Sequence, residues 1–291
     1  MTTLSLIVAA PIGAEPEPFL AALDLAGGRG HPQIEILISE AWTRPVGQAR
    51  PGVRLLTAAG AASIFELWGS GIRAAKGRYL AILDLRCPIE PGWIETVLSA
   101  IADSPPVMFG PVDCAWPRSD QRFLGYLVEY AQFHPPMAQE MGEIPGVNLI
   151  LQRDLALHPT VLRHDGFKKT RVLPLLNAMP RPMRLPGAAV RYRKACVSGA
   201  YYAHRFDHGR TYGAERAFSG QPWARLAAIA STALLPIVRI GRIYPHAVRL
   251  PGGRRTFWRF FLRILAAETA WSAGELVGYW AGAGRSSGRL R

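Results

Sequence analysis

Short apolar runs alternate along the chain with stretches of helical spacing. Residues 4–10, 34–38, 53–56 and 79–83 are runs of strand length, made largely of Leu, Ile, Val and Ala. Between them, 17–26, 61–75 and 92–102 carry apolar residues three and four apart, as one buried face of a helix requires. Gly27-Gly28-Arg29-Gly30 stops the first of these helices. Continuous apolar strands separated by amphipathic helices predict an α/β domain with a mostly parallel sheet and right-handed crossovers. Further strands are expected at 107–110, 147–151 and 189–193, with an aromatic-rich helix at 122–133. No Gly-x-Gly-x-x-Gly follows the first strand, which disfavours a dinucleotide-binding fold.

The pattern changes after residue 220. Residues 226–238 are apolar but far short of the roughly 20 that cross a bilayer, and Pro236 interrupts them. Residues 257–283 are longer but contain Arg259, Arg263, Glu268 and Glu275, which makes a simple span costly. A basic stretch, Y-P-H-A-V-R-L-P-G-G-R-R, lies between them. This reads as an amphipathic helical hairpin on the membrane interface, with Trp223, Trp258, Trp271 and Trp280 suited to the headgroup belt. A soluble helical pair packed on the sheet is the alternative. The expected organisation is a domain over 1–220 and a membrane-associated segment over 221–291.

Charge sharpens this picture. The 291 residues carry a net charge of +13. Residues 1–160 hold 11 Lys and Arg against 16 Asp and Glu, a balance of −5; the remainder hold 23 against 5, a balance of +18. Such a split implies an anionic partner for the second half. Arginines interleaved with Trp, Phe, Leu and Ile favour an anionic membrane surface over nucleic acid, for which no recognisable module is present. Three cysteines without paired spacing suggest neither a disulfide framework nor a zinc site and fit a reducing compartment. The N-terminal apolar run has no basic leader and reads as a strand, not as a signal peptide.

The chemistry-bearing stretch is G-I-R-A-A-K-G-R-Y-L-A-I-L-D-L-R-C-P-I-E-P-G-W-I-E, residues 71–95. It predicts a buried strand ending in an acid, Asp84, then a loop and a helix, the place where open α/β sheets hold ligands. The segments A-A-K-G-R-Y-L-A-I-L-D and P-G-W-I resemble the centre of the family 2 glycosyltransferases of GT-A (Rossmann-like) fold. L-S-L-I-V-A-A-P resembles their opening strand, I-E-I-L-I-S-E their second, and P-G-V-N-L-I-L-Q-R-D their acceptor-side segment. R-F-x-x-G-R-x-x-x-x-R resembles a segment of membrane-associated members, and A-W-S-A-G-E-L-V-G-Y-W-A-G the C-terminal helix of bacterial envelope polysaccharide enzymes.

The resemblance implies transfer of a sugar from a nucleotide-sugar donor to a lipid-linked or envelope glycan acceptor, by a peripheral or monotopic protein at the cytoplasmic face of the inner membrane. It places Pro11, Glu40, Asp84 and Arg86 at the donor, Asn148 at the acceptor, and Arg205 and Arg210 on a diphosphate or acceptor phosphate. Asn148 also reads as a turn or edge-strand residue, and the two arginines as a solvated helix face. Three departures stand out. The family's Asp-x-Asp, which holds the sugar nucleotide and its metal, is here Asp84-Leu85-Arg86; its Arg-Asn is replaced by Trp68-Gly69; and its acidic pair for general-base work is absent. Asp165, beside His164, is the nearest acid and the candidate base, or else a cap near a basic helix. Arg86 disfavours Mg2+ or Mn2+, leaving no certain cofactor. A rewired, metal-independent transferase and a non-catalytic binding or partner subunit are the two functions the sequence leaves open.

Overall fold

A computed structural model describes residues 2–41, 51–58, 62–137, 143–194, 199–219 and 222–290, without the side chains of 218, 219 and 222–225. Contacts divide the chain into two compact units, Met1–Ala115 with Phe133–Arg193, and Trp116–Gln132 with Lys194–Leu290.

The first unit is a layered α/β structure. Its chain order begins β1 (Leu4–Ala10), α1 (Glu17–Leu25), β2 (Ile34–Glu40), β3 (Val53–Thr57), α2 (Ile64–Ala74), β4 (Tyr79–Asp84) and α3 (Trp93–Ile101). It continues through β5 (Val107–Phe109) and β6 (Val112–Cys114). After α4 (Phe123–Glu129), which belongs to the second unit, come β7 (Leu149–Gln152), α5 (Arg153–Ala156), β8 (Leu162–Arg163) and β9 (Gly166–Phe167). The unit closes with α6 (Leu173–Leu176), β10 (Met183–Arg184) and β11 (Val190–Tyr192).

Among the described residues, seven strands form one sheet in the order β10-β5-β7-β4-β1-β2-β3. All pairings are parallel except those of β7, which runs antiparallel to both β4 and β5. Every residue of β1 and β4 is buried, as a parallel strand covered on both faces requires. The predicted strands and helices of 1–110 all form, with shifts of a few residues at their ends. The helix expected from residue 61 begins at Ile64, because Ser63 caps it: its hydroxyl accepts from the Glu66 amide while Glu66 accepts from the Ser63 amide.

The second unit holds α4 and four C-terminal helices: α7 (Gly199–Ser219), α8 (Pro222–Ser231), α9 (Leu235–Arg249) and α10 (Gly253–Ala281), followed by the short α11 (Ser286–Arg289). α7 therefore groups by its contacts with the C-terminal helices, not with the sheet. The expected hairpin is present as α9 and α10, but the stretch 244–249, read from sequence as loop, is helical. The apolar run 226–238 is broken between α8 and α9, with Pro236 in the first turn of α9, where its missing N–H costs nothing. Among the described residues no helix is long and apolar enough to cross a membrane.

α7 and α10 pack through two reciprocal Gly-x-x-x-Gly pairs, Gly209/Gly213 and Gly274/Gly278. A methyl group at Gly213 would sit 2.3 Å from the carbonyl oxygen of Glu275, and one at Gly278 would sit 2.2 Å from that of Arg210. The two backbones touch there, which only glycine permits.

Candidate functional site

β1 lies between β2 and β4, and register fixes what meets at the carboxyl edge. Ala10 pairs with Glu40 and Ala9 with Asp84. The two acids thus end strands on either side of β1, about 10 Å apart by strand spacing. Pro11 follows β1 and is buried, its carbonyl accepting from Ala14 N–H at 3.0 Å. On the other side of β4, the Asn148 amide donates to the Ile82 carbonyl at 2.9 Å, bringing the start of β7 to the same edge. Pro11, Glu40, Asp84, Arg86 and Asn148, distant in sequence, are therefore gathered at one end of the sheet.

Asp84 is fully buried and closed by the residue two places on. Arg86 donates from Nη2 to Oδ2 at 2.9 Å and from Nε to Oδ1 at 3.0 Å, and its main-chain amide donates to Oδ1 at 2.9 Å. Burial opposes the charge of Arg86, but the charge and hydrogen bonds of Asp84 outweigh it and hold the guanidinium above its ordinary value. The loop carrying Arg86 is clamped by β11: Arg193 N–H donates to the Arg86 carbonyl, Arg191 N–H to that of Pro88, and the Arg191 side chain pairs with Glu90 at 2.6 Å. Beneath it, the indole of Trp68 donates to the Leu83 carbonyl at 2.7 Å, so the residue standing in place of the family's Arg-Asn fixes the strand end.

A divalent cation does not fit this donor set. Both oxygens of Asp84 accept from a guanidinium whose charge repels a cation. Among the described residues no group of three or more His, Cys, Asp or Glu side chains is arranged to hold a metal.

Four of the expected site residues, Asn148, Asp165, Arg205 and Arg210, have internal partners. Asn148 is not available to an acceptor. It is fully buried, its Oδ1 accepts from Trp93 Nε1 at 2.8 Å, and its Nδ2 donates to the carbonyls of Pro111 and Ala188 at 2.9 and 2.7 Å. At φ 60° it takes the left-handed conformation that Asn tolerates, and it ties β4, β5, α3 and the turn before β11 together. Asp165 is not poised as a base. It sits in the β8–β9 turn, bonded to Lys168 Nζ at 2.7 Å and to Arg171 Nη2 at 2.7 Å. Partial burial pushes its carboxyl up, but these cations outweigh that and hold it well below the usual carboxylate range. Arg205 is not presented to a phosphate. It is buried in the helical unit, 2.6 Å from Glu268 and 3.9 Å from Glu129. Arg210, also in that unit, donates from Nε to the Gly282 carbonyl at 2.9 Å and so satisfies the C-terminal end of α10.

Sequence reasoning missed two features. Trp68 and Trp93 supply indole donors to the strand-end framework, though each reads in sequence only as an apolar face residue. Asp113, in β6, and His134 meet at 3.3 Å, Oδ1 to Nδ1. The His134 hydrogen bond, against partial burial and with help from the Cys114 amide, holds the Asp113 carboxyl below its ordinary value. Twenty-one positions separate the two, and no motif announces them.

No family model and no curated protein matches the sequence. Solved structures do. The mannosyltransferase PcManGT from Pyrobaculum calidifontis, in complex with GDP-Man and Mn2+, superposes with a TM-score of 0.58 at 14% identity, covering 96% of this chain and 87% of its own. Residues 1–349 of S. aureus TarS match at a TM-score of 0.48 and 12% identity, covering 97% and 92%. With the mixed sheet, the acid at the end of β4 and the antiparallel β7, the chain has the GT-A-like fold of glycosyltransferases.

Proposed function

We propose that the protein transfers a sugar from a nucleotide-sugar donor to a lipid-linked or envelope glycan acceptor without a divalent cation. The observation that supports this is the Asp84–Arg86 pair at the carboxyl edge of a GT-A-like sheet. PcManGT is described with GDP-Man and Mn2+; the nucleotide-sugar donor is carried over here, and the cation is replaced by a fixed guanidinium. In the transfer, an acceptor oxygen bonds to the anomeric carbon. The bond from that carbon to the diphosphate breaks, and the diphosphate leaves with the electron pair. Arg86, permanently charged and held by the β4 turn, offsets that developing charge. Glu40 takes the base side of the nucleotide and Asp84 the sugar or ribose hydroxyls. The acceptor proton passes to solvent water as the new bond forms, since Asp165, tied to two cations, is not placed to take it. That observation favours a second reading, a glycosyltransferase-like subunit that binds a nucleotide sugar and does not turn it over.

Calorimetric titration of UDP- and GDP-sugars, with Mn2+ and with chelator, tests the reading. Binding that chelator leaves unchanged and that Arg86→Ala weakens about tenfold or more is expected. Failure to bind any of them overturns it. Release of nucleoside diphosphate in the presence of a bacterial lipid extract selects transfer over the second reading.

A further inference from the structure

α10 is apolar on two opposite faces. One face, with Phe257, Phe260 and Ile264, is buried against the unit's other helices. On the opposite side Trp258, Leu262 and Trp280 are 57%, 76% and 73% exposed, in a line continued by the exposed Ala266, Ala273 and Leu276 and interrupted only by the exposed Thr269. From Trp258 to Trp280 this stripe runs about 33 Å. α9 adds Ile237, 68% exposed, beside Leu234 and Val238. A helix this apolar on both faces is normally enclosed. Scattered exposed apolar side chains are ordinary in a soluble protein, but a line of them is not.

The charges beside the stripe identify what covers it. Residues 221–291 contain eleven arginines and two acids, Glu268 and Glu275. Both acids are buried and paired internally: Glu268 with Arg205 and Arg239, Glu275 with Tyr279, Trp271 and Arg216. Among the described residues of this segment, the surface therefore shows no carboxylate. It shows Arg255, Arg259 and Arg263 along the flank of the stripe, with Arg254 at the start of the helix. A second copy of the same face would bring like charges together. A bilayer with anionic headgroups offers the apolar layer and the phosphates together.

We infer that the exposed α9–α10 face lies in the interface of an anionic membrane, with Trp258, Leu262 and Trp280 among the acyl chains and the flanking arginines on headgroup phosphates. The inference is independent of the donor site, since a protein that binds no sugar nucleotide still partitions, and the converse.

The test is co-sedimentation of the full chain with vesicles of phosphatidylcholine alone or with one part in three phosphatidylglycerol. Partition about tenfold higher onto the anionic vesicles is expected, with a blue shift of tryptophan emission. Trp258→Glu with Leu262→Glu removes the partition while circular dichroism shows the helical content kept, because both side chains are more than half exposed. Arg255→Glu with Arg259→Glu removes the preference for anionic vesicles. Equal partition of wild type and the Trp258→Glu/Leu262→Glu variant overturns the inference. So does a dimer in solution that this variant breaks without any vesicle binding, or retention of the wild type on duplex DNA or RNA and not on vesicles.

Discussion

The guanidinium of Arg86 and the carboxylate of Asp84 neutralise each other across two positions of one chain segment, with Nη2 to Oδ2 at 2.9 Å. Where the Asp-x-Asp pattern would concentrate negative charge, this pair carries no net charge. Arg86→Asp reverses that. Sugar-nucleotide binding by the variant is expected to require Mn2+ and to vanish with chelator. Calorimetry with and without chelator on both proteins checks it; chelator-insensitive binding by the variant refutes it.

Asn148 serves the framework. Asn148→Ala takes a partner from the Trp93 indole and from the Ala188 and Pro111 carbonyls, of which Pro111 keeps the Val190 amide, and strains a left-handed backbone, for an expected loss of about 2–4 kcal/mol. Asn148→Gly loses the same bonds without the strain, so it should be less harmful by about 1 kcal/mol. Urea unfolding of the three proteins gives the order.

The α7–α10 crossing has no room for a methyl group. Gly213→Ala and Gly278→Ala must push the helices apart and are expected to cost about 1–3 kcal/mol each. Gly241→Ala in α9, where nothing lies within 4 Å, should instead stabilise by about 0.5–1 kcal/mol through helix propensity. Opposite signs in thermal melts are the readout.

Glu268 bonds Arg205 and Arg239 at once, and Trp271 lies 4.4 Å from each guanidinium carbon. Glu268→Gln strands buried positive charge and should cost about 3–5 kcal/mol. Arg205→Met on that background should recover part of the loss. A double-mutant cycle with strong coupling is expected; additive losses would rule the pairing out.

The lowered carboxyl of Asp165 fixes the sign of a pH effect. Its contribution is fully present above the ordinary aspartate value of about 3.9 and is lost as pH falls toward its lower folded value. Asp165→Asn should therefore destabilise at neutral pH, with the difference from wild type shrinking below about pH 4. Donor turnover at neutral pH is expected to survive the substitution, because Asp165 is tied to Lys168 and Arg171.

The sheet was legible because its strands are continuous apolar runs, and Leu4–Ala10 or Tyr79–Asp84 buried on both faces admit few alternatives. The carboxyl-edge acids followed from the same pattern, since strand ends are fixed once strands are. The roles of Asn148, Asp165 and Arg205 were not legible. Each is decided by partners 37 to 76 positions away or by a turn three to six residues on, and residue type alone does not distinguish a ligand contact from an internal bond. The loop expected before α10 is shorter than its composition suggests: α9 continues through the exposed Pro245 to Arg249.

The closure of Asp84 by Arg86 makes any anion that binds there a competitor for an existing partner. A diphosphate that draws the guanidinium toward itself leaves a buried carboxylate without its counter-charge. That carboxylate must then accept a ligand hydroxyl or take up a proton. A ligand that brings an anion for the guanidinium and a hydroxyl for the carboxylate is thus favoured over a bare anion of the same charge.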